Sequence, residues 1–490
     1  MNKYDVGVIT DCRIGCNFAL RLKENGYSCV LFHTDIEKMS RDNINQYVSQ
    51  MQEKGIHTAT SVETTINLLK TPRRLFLVSK SNLYSESLLR ELYDIIEEKD
   101  IIIDTCDADY NTTASRCRLF EKKNAYYLGV GFSGDAAERL NGNSFMVGGS
   151  KDAYNEVCNI LKDISSKFDG EECCAYIGPD GSGHYAKMIN NGIEYGMMQS
   201  ICESISMLER IEDFDDTILY ETLNEWAMGE NNSFLLQAVI EIVNKRVSGT
   251  DELYKNVVSD KVGNSKSVLW MYASAAELSE PIPSIYAALG HRFMSGLKKE
   301  RSSFSALAGL EKECIQIKQR EKKEFITDVK NSLYLAMICV HAQAFNLLKH
   351  RSAVGIWGTS SLSVAVTYQG GAFIRSKLMA RIIDAYKNKP DLKNLLEDGY
   401  FLAVIKRYLP SLKNVVAKAA ESAIALPVFS ASLSYIISMS QEEMNTGLLA
   451  LIRDYTQGTG FELRDAPKIK YNADWSNLNQ EIEFKELKKQ

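Results

Sequence analysis

A lysine, a carboxamide and a carboxylate recur at helical spacing in the segment from Gly183 to Tyr195. Lys187, Asn191 and Glu194 stand at positions i, i+4 and i+7, so a helix places them on one face. Burial favours the neutral form of a lysine, which can then accept a proton and later return it. A glutamate can donate a second proton, and an amide can orient a carbonyl or hydroxyl group. The spacing predicts acid–base chemistry, although it leaves open a solvated helix face as the alternative.

The composition is that of a globular protein with a large core. The chain has 490 residues, of which 45% are hydrophobic and 24% are charged. This length predicts about three domains, or one small and one large domain. The 57 basic and 63 acidic residues give a net charge of -6, which argues against nucleic acid as the main partner. No apolar run reaches the roughly 18 residues of a membrane helix, so no membrane partner is expected.

The eleven cysteines are scattered along the chain, and no two have the CxxC spacing of a metal site. We interpret them as small buried hydrophobic residues in a reducing compartment, and no metal site is predicted. The N-terminal residues lack the apolar core of a signal peptide. Together these features predict a cytoplasmic protein.

The first part of the chain alternates β-rich runs with amphipathic segments. The strand candidates are Tyr4–Ile9, Cys29–His33, Leu75–Ser79, Ile101–Asp104 and Ala125–Val130. Between the first two, residues 14–25 have a helical period, and Gly26 is suited to follow a helix end. Strands that alternate with helices predict βαβ units and a parallel doubly wound sheet. The loop after the first strand of such a sheet is where a dinucleotide binds.

Beyond about residue 178 the pattern becomes helical. Gly178 to Gly183 form a turn-rich junction, and from His184 to about residue 440 strand signals are few. The stretch from about Gly458 is predicted to be a tail, either disordered or wrapped on a partner subunit. The predicted organisation is therefore a nucleotide-binding domain at 1–178, an all-helical domain at 179–457 and a tail at 458–490.

The segment from Gly183 to Gln199 resembles the signature GHxxKMxHNGIEYGxMQ of the 6-phosphogluconate dehydrogenases. Other segments are similar to motifs of the same family, among them LNEWAMGENNSFLL around Trp226, YQGGAFIRS from Tyr368, and RDY from Arg453. The resemblance extends from about residue 5 to about residue 475. It implies a Rossmann-type α/β N-terminal domain, a large all-α C-terminal domain, and a tail that threads the other subunit of a homodimer.

The resemblance also implies an activity, the NADP- or NAD-dependent oxidative decarboxylation of a phosphorylated sugar acid to a ketose phosphate and CO2. In that family a lysine removes the proton of the 3-hydroxyl group, and a glutamate protonates C1 of the enediol; Lys187 and Glu194 match these residues. The implied substrate-binding residues are Ser133, Gly134, Asn191, Tyr195, Lys266, Ser267, Arg292 and Arg453. Among them, Tyr195, Arg292 and the partner subunit's Arg453 would bind the phosphate group, for which a planar cation is suited.

The cofactor-binding residues that the resemblance implies are Thr10, Cys12, Arg13, Gly15, Asn17, Thr34, Val78 and Asp107. The family's fingerprint GxAxMGxN reads TDCRIGCN here, so only Gly15 and Asn17 match it. Asp11 adds a negative charge beside the expected diphosphate, and Arg13 can offset that charge. After the second strand the family's NRT, whose arginine contacts a 2′-phosphate, reads HTD at 33–35. NADP and NAD therefore remain alternatives.

The substrate-binding pattern also departs from that of the family. The family's histidine before the asparagine is Asn190, one of its lysines aligns with Ser265, and Asp107 and Asp135 are acids that would face an anionic substrate. Like charges in a partly dry cleft repel each other strongly. Three hypotheses follow. The chain is a diverged enzyme that still decarboxylates a hydroxy acid, a non-catalytic homologue with a structural or regulatory role, or a sensor that binds a sugar phosphate without turnover.

Overall fold

The computed structural model describes residues 3–34, 41–79, 86–134, 142–309, 314–476 and 484–486. The chain divides into two compact units, Met1–Leu433 and Ser434–Gln490. The first unit contains the large sheet and most of the helices, and the second contains a helix and short strands. The domain boundaries predicted after residues 178 and 457 remain predictions.

Among the described residues, the first unit begins with an eight-stranded sheet in the order β10-β7-β6-β5-β4-β1-β2-β3. Its strands are β1 (Val6–Thr10), β2 (Cys29–His33), β3 (His57–Ala59), β4 (Arg74–Val78), β5 (Ile101–Asp104), β6 (Tyr126–Ser133), β7 (Ser144–Gly148) and β10 (Cys174–Gly178). Two further strands, β8 (Lys167–Phe168) and β9 (Glu171–Glu172), form a separate hairpin. Thr10 at the end of β1 is level with His33 of β2 and Val78 of β4. The strand order reverses at β1, so its carboxyl end is the switch point at which such sheets bind ligands.

Helices cover both faces of this sheet. They are α1 (Arg13–Glu24), α2 (Arg41–Glu53), α3 (Val62–Asn67), α4 (Glu86–Ile95), α5 (Tyr110–Glu121) and α6 (Lys151–Asp163). Ser61, Asp109 and Ser150 begin three of these helices by accepting backbone N–H bonds with their side chains. Successive residues of β1 face opposite sides of the sheet. Val8 belongs to the buried apolar cluster on one side, and Ile9 belongs to the cluster on the other. The sheet therefore has a core on each face.

The prediction of a Rossmann-type α/β domain is confirmed, and each predicted strand is present with its ends shifted by at most a few residues. The pairing of β6 with β7 is antiparallel, whereas the other pairings of the described sheet are parallel as predicted. Only residues 134–143 separate these two strands. A parallel crossover needs about a dozen residues or more, whereas antiparallel strands can be joined by a shorter connection.

The rest of the first unit is helical, as predicted. Its helices are α7 (Ser182–Leu208), α8 (Asp216–Met228), α9 (Phe234–Val243), α10 (Tyr254–Val257), α11 (Lys266–Glu277), α12 (Pro283–Gly296), α13 (Lys298–Ala308), α14 (Lys322–Val354), α15 (Ser361–Thr367), α16 (Lys377–Asn388), α17 (Gly399–Glu421) and α18 (Pro427–Met439), the last of which extends past the boundary of the unit. Most residues of α7 and α14 are buried, as expected of helices at the centre of a bundle. None of the described helices combines the length and the apolar composition needed to cross a lipid bilayer.

Glu203 joins the second half of α7 to the start of α18. Its carboxylate accepts backbone N–H bonds of 2.9 Å from Val428 and Phe429, and Gln199 donates to it at 3.1 Å. These bonds satisfy N–H groups that a helix start leaves without intrahelical partners. Burial raises the pKa of Glu203 to about 7 despite the three donors. A long-range contact therefore fixes where α18 begins.

The second unit consists of α19 (Thr446–Gln457) and the antiparallel strands β11 (Phe461–Leu463), β12 (Ala466–Ala473) and β13 (Phe484–Glu486). The buried Asp454 carboxylate accepts bonds from the backbone N–H groups of Gly460 and Ala473, at 2.9 and 3.0 Å. It also accepts bonds from Asn472 and from the indole N–H of Trp475. The described part of the tail is thus an ordered small sheet, and its wrapping on a partner subunit stays a prediction.

Candidate active site

The start of α7 lies directly on strands β6 and β7 because glycines meet there. A Cβ atom on Gly183 would lie 2.2 Å from the carbonyl oxygen of Gly129 and 2.3 Å from that of Met146. A Cβ atom on Gly131 would lie 2.7 Å from the Cβ of Lys187. Any larger residue would separate helix and sheet. The close approach fixes Lys187 near the carboxyl end of β6.

His184 is a structural residue at the start of α7. Its Nε2 lies 3.2 Å from the carbonyl oxygen of Asp104, which can only accept, so Nε2 carries the hydrogen and donates. Its Nδ1 lies 2.7 Å from the hydroxyl group of Thr113 and accepts from it in the neutral tautomer. Burial lowers the pKa of His184, which favours this neutral form. The contacts link α7 to the end of β5 and to α5.

Lys187 and Asn191 are buried, with 9% and 8% of their surfaces exposed, so the alternative of a solvated helix face is wrong. The Lys187 Nζ atom donates to Asn190 Oδ1 over 3.5 Å, the outer limit for such a bond. Asn191 donates to the Ser267 hydroxyl group at 2.8 Å. α7 therefore presents the lysine side chain and an amide to one cleft, and Ser267 from the start of α11 supports the amide.

Glu194 is half-buried two turns beyond Lys187. Burial raises the pKa of its carboxyl group, and the negative charge of Asp107 adds to the rise. The positive charges of Lys187 and Arg292 oppose the rise without cancelling it. Asp107 follows β5, and its side chain is exposed. The fold thus brings one further acid and two cations close enough to influence the Glu194 carboxyl group.

Tyr195 and Arg292 form the other end of the cleft. The Arg292 guanidinium carbon lies 3.6 Å from the centre of the Tyr195 ring. The Tyr195 hydroxyl group accepts a 2.5 Å bond from the backbone N–H of Ser265, the residue that precedes α11. Lys266, the first residue of α11, is exposed, and the helix places its positive dipole end here. Two cations and a helix start suit an anionic group.

Ser133 and Gly134 lie where β6 ends. The Ser133 hydroxyl group is buried and has no hydrogen-bond partner among the described residues, and the same holds for Asn190 Nδ2. Gly134 has φ +149°, and a Cβ atom there would lie 1.9 Å from Asn143 Nδ2. Glycine is therefore required at this turn. Asp135, the next residue, lies outside the described residues.

The turn between β1 and α1 is tied by the Thr10 side chain. Its hydroxyl group accepts from the Cys12 N–H at 3.1 Å and lies 3.0 Å from the Cys12 carbonyl oxygen, to which it donates. A Cβ atom on Gly15 would lie 2.1 Å from this hydroxyl oxygen, which explains the glycine. Cys12 makes no side-chain cap to α1, and Arg13 is exposed on the first turn. An uncapped helix start beside an arginine fits the pyrophosphate of a dinucleotide.

The other predicted cofactor residues surround this turn. The Thr34 hydroxyl group donates to the Thr10 carbonyl oxygen at 3.4 Å, and Asn17 is half-buried on α1. The Val78 side chain belongs to an apolar cluster beneath the sheet, which leaves only its backbone for a cofactor contact. Asp35, the last residue of the HTD sequence after β2, lies outside the described residues.

Asp11 is the group in the turn that opposes an anion. It accepts a 2.6 Å bond from the Ser79 hydroxyl group through one oxygen. Its other oxygen is buried without a partner among the described residues. A carboxylate beside a helix start competes there with a diphosphate for the same positive potential. The turn fits a dinucleotide, with Asp11 as the residue that weakens the fit.

Arg453 belongs to the second unit, on the exposed surface of α19. Leu448, Leu449, Ile452 and Tyr455 of the same helix expose between half and two thirds of their surfaces. Within its unit, α19 therefore presents an apolar surface that also carries Arg453.

The sequence analysis did not predict the glycine contacts between α7 and β6. It also did not predict the hydrogen bond that stabilises the turn carrying Asp107. Gly129 and Gly131 alternate within β6, and glycines inside a strand signal a close approach of another backbone. This signal could have placed α7 on β6 in advance. Asp104 accepts a 2.6 Å bond from the Tyr127 hydroxyl group and so stabilises the turn that carries Asp107. No local sequence pattern shows that contact.

Comparisons with known proteins agree with this geometry. Residues 5–178 match the family described as the NAD binding domain of 6-phosphogluconate dehydrogenase. Residues 183–475 match the family described as the C-terminal domain of 6-phosphogluconate dehydrogenase. The two matches together include every residue of the cleft described above.

Individual relatives match over nearly their full length. The NADP(+)-dependent, decarboxylating 6-phosphogluconate dehydrogenase of Bacillus subtilis (strain 168) is 32% identical over 476 residues, 97% of this chain and 100% of that protein. A decarboxylating 6-phosphogluconate dehydrogenase of Staphylococcus aureus (strain Mu50 / ATCC 700699) is 31% identical, with 96% of this chain and 98% of that protein covered. The solved structure of the Plasmodium falciparum 6-phosphogluconate dehydrogenase has a TM-score of 0.90 and 32% identity, and covers 96% of this chain and 100% of that one. That enzyme is described in its apo form, with NADP+ and with 6-phosphogluconate.

Proposed function

Because this chain belongs to the 6-phosphogluconate dehydrogenase family, we propose that it oxidatively decarboxylates 6-phosphogluconate or a related phosphorylated sugar acid, with NADP or NAD as cofactor. The observation that carries the proposal is the pairing of buried Lys187 with Glu194 on one face of α7. A proton acceptor and a proton donor are both needed for this reaction, and the fold holds them at one cleft.

The residues of the cleft divide the proton transfers between them. Lys187 Nζ accepts the proton of the C3 hydroxyl group as C3 is oxidised, and a nicotinamide cofactor, when bound, would supply the hydride acceptor. The 3-keto acid then releases CO2, and the electron pair of the broken C–C bond forms an enol whose oxygen Lys187 protonates. Glu194 protonates the carbon that lost CO2, while Lys187 takes back the hydroxyl proton. The raised pKa of Glu194 suits this carboxyl group to hold its proton until this step.

The two ends of the cleft suit the two ends of a phosphorylated sugar acid. Ser133 and Asn190 have buried polar atoms without partners among the described residues, and substrate hydroxyl groups would satisfy such atoms. Asn191 and the turn at Gly134 would hold the same part of the substrate. Arg292, Tyr195 and the start of α11 with Lys266 and Ser267 would bind the phosphate group.

A homodimer would complete this site. The surface of α19 exposes Leu448 by 66% and Tyr455 by 66%, which is costly in water unless another protein surface covers it. Arg453 lies on the same helix. A partner subunit that covered this surface would receive the arginine together with the apolar contact. Binding of the substrate phosphate by the partner's Arg453 is therefore part of the proposal.

The family match favours turnover over the non-catalytic homologue and the sensor, because the full-length relatives are named as decarboxylating dehydrogenases. The departures at Thr10, Asp11, Asp107 and Asn190 concern how the cofactor and substrate are bound. They leave Lys187 and its proton-transfer role intact.

Reduction of NADP and NAD, followed by absorbance with 6-phosphogluconate present, tests the proposal. Lys187→Ala should lower kcat by about two to four orders of magnitude, the usual contribution of a general base. Lys299→Ala removes an exposed lysine of α13 and should leave kcat unchanged. Wild-type activity in Lys187→Ala would refute the mechanism. A wild-type protein that binds nucleotide and 6-phosphogluconate but reduces neither nucleotide would favour the non-catalytic hypothesis.

A further inference from the structure

A cavity of about 440 Å³ lies between the starts of α9 and α16, apart from the cleft at Lys187. Its wall includes Ser166, Lys167, Phe234, Gln369, Arg375 and Lys377, and we call it the α9–α16 cavity. Cavities of a few hundred cubic ångströms hold small metabolites. None of the residues assigned to the substrate or the cofactor is part of this wall.

The charged residues of the cavity wall are cations. Arg375 is stacked 3.8 Å over the Phe234 ring and donates to the Ala372 carbonyl oxygen, so its guanidinium group is held in place. Lys377 is exposed, and its ammonium group lies 3.1 Å from a backbone carbonyl oxygen. Lys167 is 62% exposed and only 3.8 Å from the Glu172 carboxylate, an ion pair at the limit of contact. Among the described residues of the wall, none is acidic.

Two helix starts add to this positive potential. Ser233 precedes α9 and Ser376 precedes α16, and the two segments are joined by backbone bonds from Phe234 to Arg375 and from Lys377 to Asn232. The positive dipole ends of both helices therefore meet at one cavity. Because the N–H groups of Phe234 and Lys377 are already used in these two bonds, the helices contribute charge more than direct hydrogen bonds.

Ser166 supplies a second, independent observation that favours ligand binding in this cavity. It is 2% exposed, lines the cavity, and its hydroxyl group has no hydrogen-bond partner among the described residues. A Cβ atom on Gly371, another residue of the wall, would lie 3.0 Å from this hydroxyl oxygen. Buried hydroxyl groups are nearly always bonded, so the Ser166 hydroxyl group is suited to donate to a ligand in this cavity.

We propose that the α9–α16 cavity binds the phosphate group of a small phosphorylated metabolite. A phosphate offers three acceptor oxygens and close to two negative charges, which match one arginine, two lysines and a hydroxyl donor. The cavity adjoins the substrate turn, because a Cβ atom on Gly371 would lie 3.0 Å from the Cα of Asn143, whose side chain contacts Gly134. The inference rests on this wall and is independent of the proposed catalysis.

Titration calorimetry of the full-length protein with pyrophosphate tests the proposal. Lys167→Gln/Lys377→Gln removes two of the cations, and the affinity should fall at least about tenfold because charge-assisted bonds are lost. The matched control is Lys387→Gln/Lys389→Gln, which removes two lysines at the other end of α16 and should bind as the wild type does. Unfolding temperatures identify any variant that is misfolded.

Arg292→Gln separates the α9–α16 cavity from the substrate cleft. Pyrophosphate binding that survives Arg292→Gln and is lost in the double lysine variant supports the proposal, whether or not the protein turns over 6-phosphogluconate. Binding that is lost in Arg292→Gln and unchanged in the double lysine variant would overturn it, because all the affinity would then belong to the cleft. Absence of any pyrophosphate binding would overturn it as well.

Discussion

Gly183→Ala should displace α7 from the sheet and reduce activity without touching a reacting group. The added Cβ atom would lie 2.2, 2.3 and 2.5 Å from backbone atoms of Gly129, Met146 and Gly148. Backbone atoms within a sheet cannot rotate away as a side chain can. The helix itself must therefore move.

The size of the movement follows from these distances. Ordinary contact begins at 3.4 Å, so the helix start must withdraw by about 1.2 Å from the Gly129 carbonyl oxygen. Overpacking of this kind costs about 1–3 kcal/mol, and a misplacement of about 1 Å at a reacting group can lower the rate by about two orders of magnitude. Lys187 lies one turn further along the same helix and would move with it.

The assay is kcat/KM for 6-phosphogluconate together with the unfolding temperature. Both values should fall for Gly183→Ala. Gly290→Ala is the matched control, because Gly290 lies inside α12 with no atom within 4 Å of an added Cβ atom. It should leave activity unchanged and stabilise the protein by about 0.5–1 kcal/mol. Wild-type stability and activity in Gly183→Ala would refute the conclusion that this contact positions Lys187.

Further predictions concern three acids. Asp107→Asn removes a negative charge that raises the pKa of Glu194, so the pKa of Glu194 should fall. The alkaline limb of the kcat–pH profile should then move to lower pH. An unmoved limb would exclude Glu194 as the group that must stay protonated. Asp11→Asn removes a charge at the start of α1 and should tighten NADP binding about fivefold in calorimetry, since about 1 kcal/mol of repulsion is lost; weaker binding would contradict this. Asp454→Asn replaces one acceptor oxygen by a donor, so the backbone amide of Gly460 should exchange its hydrogen faster. Unchanged exchange would show that the tail sheet does not depend on the Asp454 carboxylate.

The helical face that carries Lys187, Asn191 and Glu194 could be read from the sequence because it lies within one helix. Its geometry depends only on the 3.6-residue period. The same holds for the strands, since buried parallel strands leave short continuous apolar runs. The antiparallel pairing of β6 and β7 is a property of two strands and was missed, although the short connection between them could have indicated it.

The sequence also did not predict that Lys266 is exposed or that the side chain of Val78 is buried. Both were assigned by position in a motif, and a motif does not state which way a side chain points. Within β4 the direction alternates, and only packing against α1 and α6 decides that Val78 joins the core. Lys266 is the first residue of α11, and Ser265 and Ser267 on either side of it make the contacts with Tyr195 and Asn191.

The sequence by itself determined the family, the order of the two folds and the residues of α7 that can exchange protons, because each of these is written in local patterns and motifs. The tertiary structure alone decided that Asp107 acts on Glu194, that Gly131 and Gly183 fix the depth of α7, and that the starts of α9 and α16 share a cationic cavity. These relations join segments that are far apart in the chain. Their energies depend on distances across packed elements, and no local pattern encodes those distances.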